Sequence, residues 1–147
     1  MPLHIVKLCV GTDTIDDLAA WQSGRLAEQK RAGIKQPQIF HTTFQAPRRQ
    51  AELLDGGSLY WVIKGLISVR QRLVGFAEGF KDDGKPACRL LLDPVLVPVR
   101  PVPRRPFQGW RYLDSDSAPA DLKHGQNETV AEMPAAMRKE LAGLGLL

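Results

Sequence analysis

From Leu3 to Val10 apolar and polar positions alternate, with Leu3, Ile5 and Lys7 on one side of an extended chain and His4, Val6, Leu8 and Val10 on the other. That period of two predicts a mostly buried strand. The period then changes. Ile15, Leu18, Ala19, Gln22 and Leu26 recur at helical spacing, Thr14 and Asp17 have the spacing of a capping box, and Gly33 stops the run, so a helix is predicted up to about Ala32. Asp13, Asp16 and Asp17 suit the positive end of its dipole. Trp21 falls on the flank of the apolar stripe and is read as helix packing.

Gln38 to Ala46 has the β-branched and aromatic content of a strand, bracketed by Pro37 and Pro47. Ile39, His41 and Thr43 share one face, and Phe40, Thr42 and Phe44 the other. Arg48 to Leu54 suits a short helix ending at Gly56-Gly57. Leu59 to Ile63 is nearly all apolar, which predicts a central strand covered on both faces with Trp61 in the core. Lys64-Gly65 ends it, Leu66 to Arg72 reads as a turn or bend, and Leu73 to Phe80 resumes as a strand in which Gly75 and Gly79 suggest bulges or a close backbone approach. Asp82 to Lys85 reads as a hairpin turn, Ala87 to Leu92 as the return strand, and Val95 to Val99 as its extension. Residues 113–132 are acidic and turn-rich, a surface loop, and a last helix begins near Pro134 with Ala135, Ala136, Met137 and Leu141 on its apolar side. The order of elements predicts an α+β fold: a small mixed β-barrel with an N-terminal helix and a C-terminal helix, in a single domain over 1–147.

Composition narrows the class without naming a reaction. A chain of 147 residues suits one domain with a real core. No apolar run approaches the length a bilayer needs, no secretory leader is visible, and two cysteines, Cys9 and Cys88, are too few for a disulfide framework, so a cytoplasmic protein is expected. Charge changes the picture more. Residues 61–112 carry ten Lys/Arg against four Asp/Glu, whereas residues 113–147 carry three against six. Positive charge gathered in mid-chain favours an acidic partner, with nucleic acid the commonest.

The stretch Arg100 to Tyr112 concentrates that charge. Four arginines and three aromatics stand there without a carboxylate, and Pro101, Pro103 and Pro106 bar helix. Guanidinium groups beside flat rings suit phosphate and nucleobase together. The candidate nucleic-acid contacts are Lys64, Arg70, Arg72, Arg100, Arg104, Arg105 and Arg111, with Trp61, Trp110 or Tyr112 to stack a base and core packing as the other reading of Trp61. The expected function is a nucleic-acid-binding module for RNA or DNA. Two alternatives stand beside it. One is an adaptor that docks on RNA polymerase or the ribosome through the basic face and the apolar tail from Leu141 to Leu147. The other is a small hydrolase drawing on Asp93, Glu78 or His41 with Lys64.

Neither a metal site nor a cofactor site is predicted, because His4, His41 and His124 stand isolated from other ligand-type residues. Gly79 to Pro86 has the glycine and lysine spacing of a phosphate-binding loop, but Pro86 replaces the Ser or Thr that holds magnesium, and Asp82 and Asp83 would repel phosphate. It reads as a turn.

Three segments carry a family resemblance: His4 to Gly11, Tyr60-Trp61-Val62-Ile63-Lys64-Gly65 through Val69-Arg70-Gln71-Arg72, and Arg105 to Leu113. Together they resemble the bacterial family called domain of unknown function fourteen-eighty-nine. More distantly, the middle of the chain is similar to the PUA-like superfamily with its ASCH domains, small barrels that bind RNA or modified bases, a few of them amidohydrolases. Against the ASCH signature the chain keeps Gly65 and Arg72 but has Ile67 for the lysine and Arg70 for the glutamate. The resemblance therefore implies binding more than hydrolysis.

Overall fold

A computed structural model of the chain describes residues 2–122 and 134–144. Its elements are β1 (Leu3–Leu8), α1 (Ile15–Arg31), β2 (Ile39–Thr43), α2 (Gln50–Leu54), β3 (Ser58–Ile63), β4 (Leu66–Phe80), β5 (Pro86–Leu92), β6 (Val97–Pro103), β7 (Trp110–Asp114) and α3 (Ala135–Gly143). His124 and the last three residues of the apolar tail lie outside the described residues, as does the second half, 123–132, of the expected 113–132 loop. Within that expected loop, Leu113 and Asp114 belong to β7.

The start of α1 follows the sequence closely. Asp17 donates its amide to Thr14 Oγ1 at 3.0 Å, and its carboxylate accepts from the Thr14 and Asp13 amides, both at 3.0 Å, so the capping box is complete. Ile15, Leu18 and Gln22 are the buried face. Strand β3 is buried along its whole length, as its apolar run requires. Leu59, Trp61 and Ile63 join one core cluster together with Ile5, Leu18, Ile39 and Leu90, while Tyr60 and Val62 join a second with Val6, Ile67 and Leu113.

The segment Leu66 to Arg72, expected as a turn or bend, is instead the first half of β4. The reason lies in Lys64-Gly65. Both residues have positive φ, 50° and 83°, the pairing that makes a two-residue hairpin turn, and Ile63 faces Leu66 across it. Strand β4 then serves two neighbourhoods. Its first half pairs with β3 and β6, and its second half pairs with β5, with the register shifting between Leu73 and Gly75. At Gly79 a Cβ would stand 2.8 Å from Arg89 Nε, so the side chain of β5 occupies the space a larger residue would need. The prolines of β6 are tolerated because, among the described residues, β4 is its one strand neighbour and its other side makes only an isolated bridge, Val99 to Asp121, in which the Arg100 amide donates to Ala120 O and Pro98 O accepts from Leu122.

The barrel expected from the sequence is not closed. The strand order is β2-β5-β4-β3-β1-β7, with β6 beside β4, and it ends on β2 and β7 without a ladder between them. Side chains tie the two ends together instead. Trp110 Nε1 of β7 donates to Gln45 O at 2.7 Å, and Tyr112 Oη accepts the Arg48 and Arg49 amides at 3.1 and 3.2 Å, so the segment following β2 is clasped to β7. The same Tyr112 ring carries the Arg49 guanidinium at 5.5 Å. Among the described residues no helix is long and apolar enough to cross a membrane.

Candidate nucleic-acid interface

Strand β1 sets the site. Leu3, Ile5 and Lys7 share the face of β1 whose first two residues enter the larger core cluster, and the last of these puts an ammonium where the pattern calls for an apolar side chain. Lys7 lies beside Trp61 on β3 and Trp110 on β7. It lines a cavity of about 680 Å³ with Thr12, Leu18, Trp21, His41 and Trp61. The His41 ring meets Trp61 edge-on, centroids 5.1 Å apart and planes at 84°. Trp61 itself is 1% exposed and forms the floor, whereas Trp21 is 46% exposed and forms a wall. Trp21 is thus a pocket residue more than helix packing, because its place on the flank of the stripe turns the ring towards the β1–α1 loop.

Buried amides hold the floor in place. Trp61 Nε1 donates to Gln71 Oε1 at 2.8 Å, Gln71 and Gln22 exchange two amide hydrogen bonds at 2.8 Å each, and Gln71 Nε2 also reaches Asp93 O at 3.0 Å. A fully satisfied network of this kind fixes one orientation of the indole.

Electrostatics make the cavity cationic. Burial and then the charges of Lys7, Lys81 and Arg25 lower the His41 pKa to about 4, so its ring is neutral at physiological pH. Burial and Lys81 also lower Lys7, with Cys9 acting in the opposite sense. Burial raises the Cys9 thiol although Thr12 Oγ1 at 3.2 Å and Lys7 oppose it, so the sulfur stays protonated and is a poor nucleophile. Asp17 is the acidic lining residue, and its Oδ2 already accepts from two backbone amides.

A smaller groove of about 250 Å³ lies against the other side of the segment Leu8 to Thr12, lined also by Lys64, Gly65, Arg104 and Pro106. The two cavities therefore share one ridge. The Arg104 amide donates to Gly65 O at 2.9 Å, which draws the β6–β7 connection onto the β3–β4 turn. Arg104 and Arg111 both place their guanidinium groups over the ring of Phe107, at 5.3 and 5.6 Å. Arg105 is exposed between them.

The sequence candidates separate into groups. Lys64 and Arg104 line the groove, Arg111 shares the Phe107 ring with Arg104, and Arg105 is the exposed chain neighbour of Arg104. Arg70 and Arg72 stand further along β4, and a displacement of six residues along a strand is roughly 20 Å. Arg70 is bound by both oxygens of Asp121, at 2.7 Å each, and reaches Ser58 Oγ at 3.3 Å. Arg72 is exposed on β4, and Arg100 is exposed on β6 with its amide on Ala120 O. Trp110 and Tyr112 make the clasp described above. Sequence reasoning passed over Lys7, Thr12 and Phe107 as site residues, treated Trp21 as packing, and left Trp61 between core packing and base stacking. A lysine on the apolar side of an alternating strand was the legible signal for the first.

His4 is structural: its Nδ1 accepts the Ser58 amide at 3.0 Å, and burial followed by the Arg70 charge lowers its pKa. A larger concavity of about 720 Å³ beside Phe44, Phe76 and Phe80 has Glu78 as its one charged lining residue. Among the described residues no three His, Cys, Asp or Glu side chains are gathered to hold a metal ion.

The family model described as protein of unknown function (DUF1489) matches residues 5–147. The chain belongs to this family. No curated protein and no solved structure matches the chain. In this DUF1489 chain the resembling segments noted in the sequence supply much of both cavities: Lys7 to Gly11 from the first, Trp61 to Gly65 from the second, and Phe107 and Arg111 beside the groove from the third.

Proposed function

We propose that this protein binds single-stranded nucleic acid. The phosphate backbone runs along Lys64, Arg104, Arg105 and Arg111, and one base crosses the ridge Leu8 to Thr12 to enter the cavity floored by Trp61. The observation that carries this reading is the shared ridge, which puts a cationic groove and an aromatic cavity side by side. A nucleotide offers that same pairing of an anion with a flat ring, and aromatic stacking is worth about 1 to 3 kcal/mol per base. The reading keeps the ligand class that the likeness to PUA-like domains implies and gives up their closed barrel.

Fluorescence anisotropy with short single-stranded RNA and DNA tests it. If four cations neutralise phosphates, affinity falls about fiftyfold when salt rises from about 50 to about 200 mM, and Lys64→Ala or Arg104→Ala each weakens binding and flattens the salt dependence. Affinity indifferent to salt overturns the proposal.

A further inference from the structure

We propose that the Trp61 cavity discriminates among bases, favouring those with a carbonyl oxygen at purine C6 or pyrimidine C4 (guanine, uracil, thymine) over those with an amine there (adenine, cytosine). This rests on the reading that the ligand is nucleic acid, but it concerns the cavity and not the groove.

The polar groups facing the cavity decide it. Lys7 contributes three donors and no acceptor, Thr12 a hydroxyl, and neutral His41 one N–H and one lone pair. Among the described residues neither Lys7 nor His41 makes a side-chain hydrogen bond or an ion pair; His41 has only its ring contact with Trp61. Their hydrogen-bonding capacity is therefore open to a ligand. Nearby, Lys81 and Arg25 add positive charge without adding an acceptor, since both act on His41 through space. Asp17 is the acceptor on the rim: its Oδ2 accepts the Asp13 and Thr14 amides and its Oδ1 is open, but the residue is exposed at the mouth and makes no ion pair with Lys7, so the acceptor it offers stands apart from the ammonium. At the position where they differ, purine C6 or pyrimidine C4, guanine, uracil and thymine present a carbonyl acceptor (O6 or O4), whereas adenine and cytosine present an exocyclic amine. An amine placed against Lys7 meets a donor, and both lose hydrogen bonds to water without replacing them. A carbonyl placed there gains a charge-assisted hydrogen bond. The volume of about 680 Å³ is in the range of small-molecule sites and exceeds what one base needs.

The test is isothermal titration calorimetry of the full chain with GMP, UMP, AMP and CMP at one fixed salt concentration. GMP and UMP are expected to bind about tenfold more tightly than AMP and CMP, the difference that one hydrogen bond supplies. Lys7→Met, of similar length and without the charge, is expected to bring GMP and UMP down to the AMP level, with thermal unfolding checking that the variant is folded. If Lys7→Met does not fold, Thr12→Val on the exposed loop is the second variant, expected to reduce the preference about threefold. Four equal affinities, a preference for AMP or CMP, or a preference untouched in the folded variants overturns the inference. Oligonucleotides that bind with steep salt dependence while mononucleotides do not bind overturn the cavity inference alone. GMP and UMP bound with the expected preference, while oligonucleotide affinity ignores salt, overturn the groove reading alone.

Discussion

His41 concentrates the residue-scale physics of this molecule, since an imidazole with an ordinary pKa of 6.5 is held down at about 4 by burial and by Lys7, Lys81 and Arg25. The folded state keeps it neutral across a range in which the unfolded chain takes up a proton. Stability is therefore complete above about pH 6.5 and falls as the pH drops towards 4, by up to about 3 kcal/mol from this one ring. His4, also lowered, adds to the same loss. Urea unfolding at pH 7.5 and pH 4.5 measures it. His41→Asn is expected to remove half or more of the pH dependence, and an unchanged difference between the two pH values would show that the ring is not the source.

At the scale of elements, β7 is the part whose role changes most between chain and fold. Trp110 and Tyr112 look like stacking residues in an arginine-rich run, yet the fold uses both to hold β7 against the segment after β2. Tyr112→Phe removes the acceptor for two backbone amides in an exposed setting. The expected cost is about 1 kcal/mol in urea unfolding, with the affinity for GMP unchanged. Loss of GMP affinity with stability intact would return Tyr112 to the site. The continuity of β4 was hidden for a related reason. Leu66 to Arg72 places polar Ser68, Arg70 and Arg72 among apolar neighbours, and Gln71 is buried because Gln22 and Trp61 sit opposite it, partners distant in sequence.

For the whole molecule, the uneven charge of the chain resolves into cations with different duties. Lys64 and Arg104 line one groove and Arg111 shares the Phe107 ring with Arg104, while Arg70 is held by Asp121 from the acidic segment 113–147. Arg70→Met is accordingly expected to lower the thermal midpoint by a few degrees and to leave the salt dependence of oligonucleotide binding as it is. A flatter salt dependence in Arg70→Met would mean that this guanidinium reaches the ligand.

Local chemistry alone determined a good deal: the alternation of β1, the cap and stop of α1, the doubly buried β3, the hairpin turn before β5 and the concentration of positive charge in mid-chain. Each depends on residues within a few positions of one another, so the chain displays it directly. Tertiary structure decided the rest. Whether seven strands close, which arginines stand together, and that Lys7, Thr12, Trp21, His41 and Trp61 surround one cavity all depend on contacts between residues tens of positions apart. No local pattern records a contact of that kind, because its free energy arises only when the curl of the sheet brings the partners to one place.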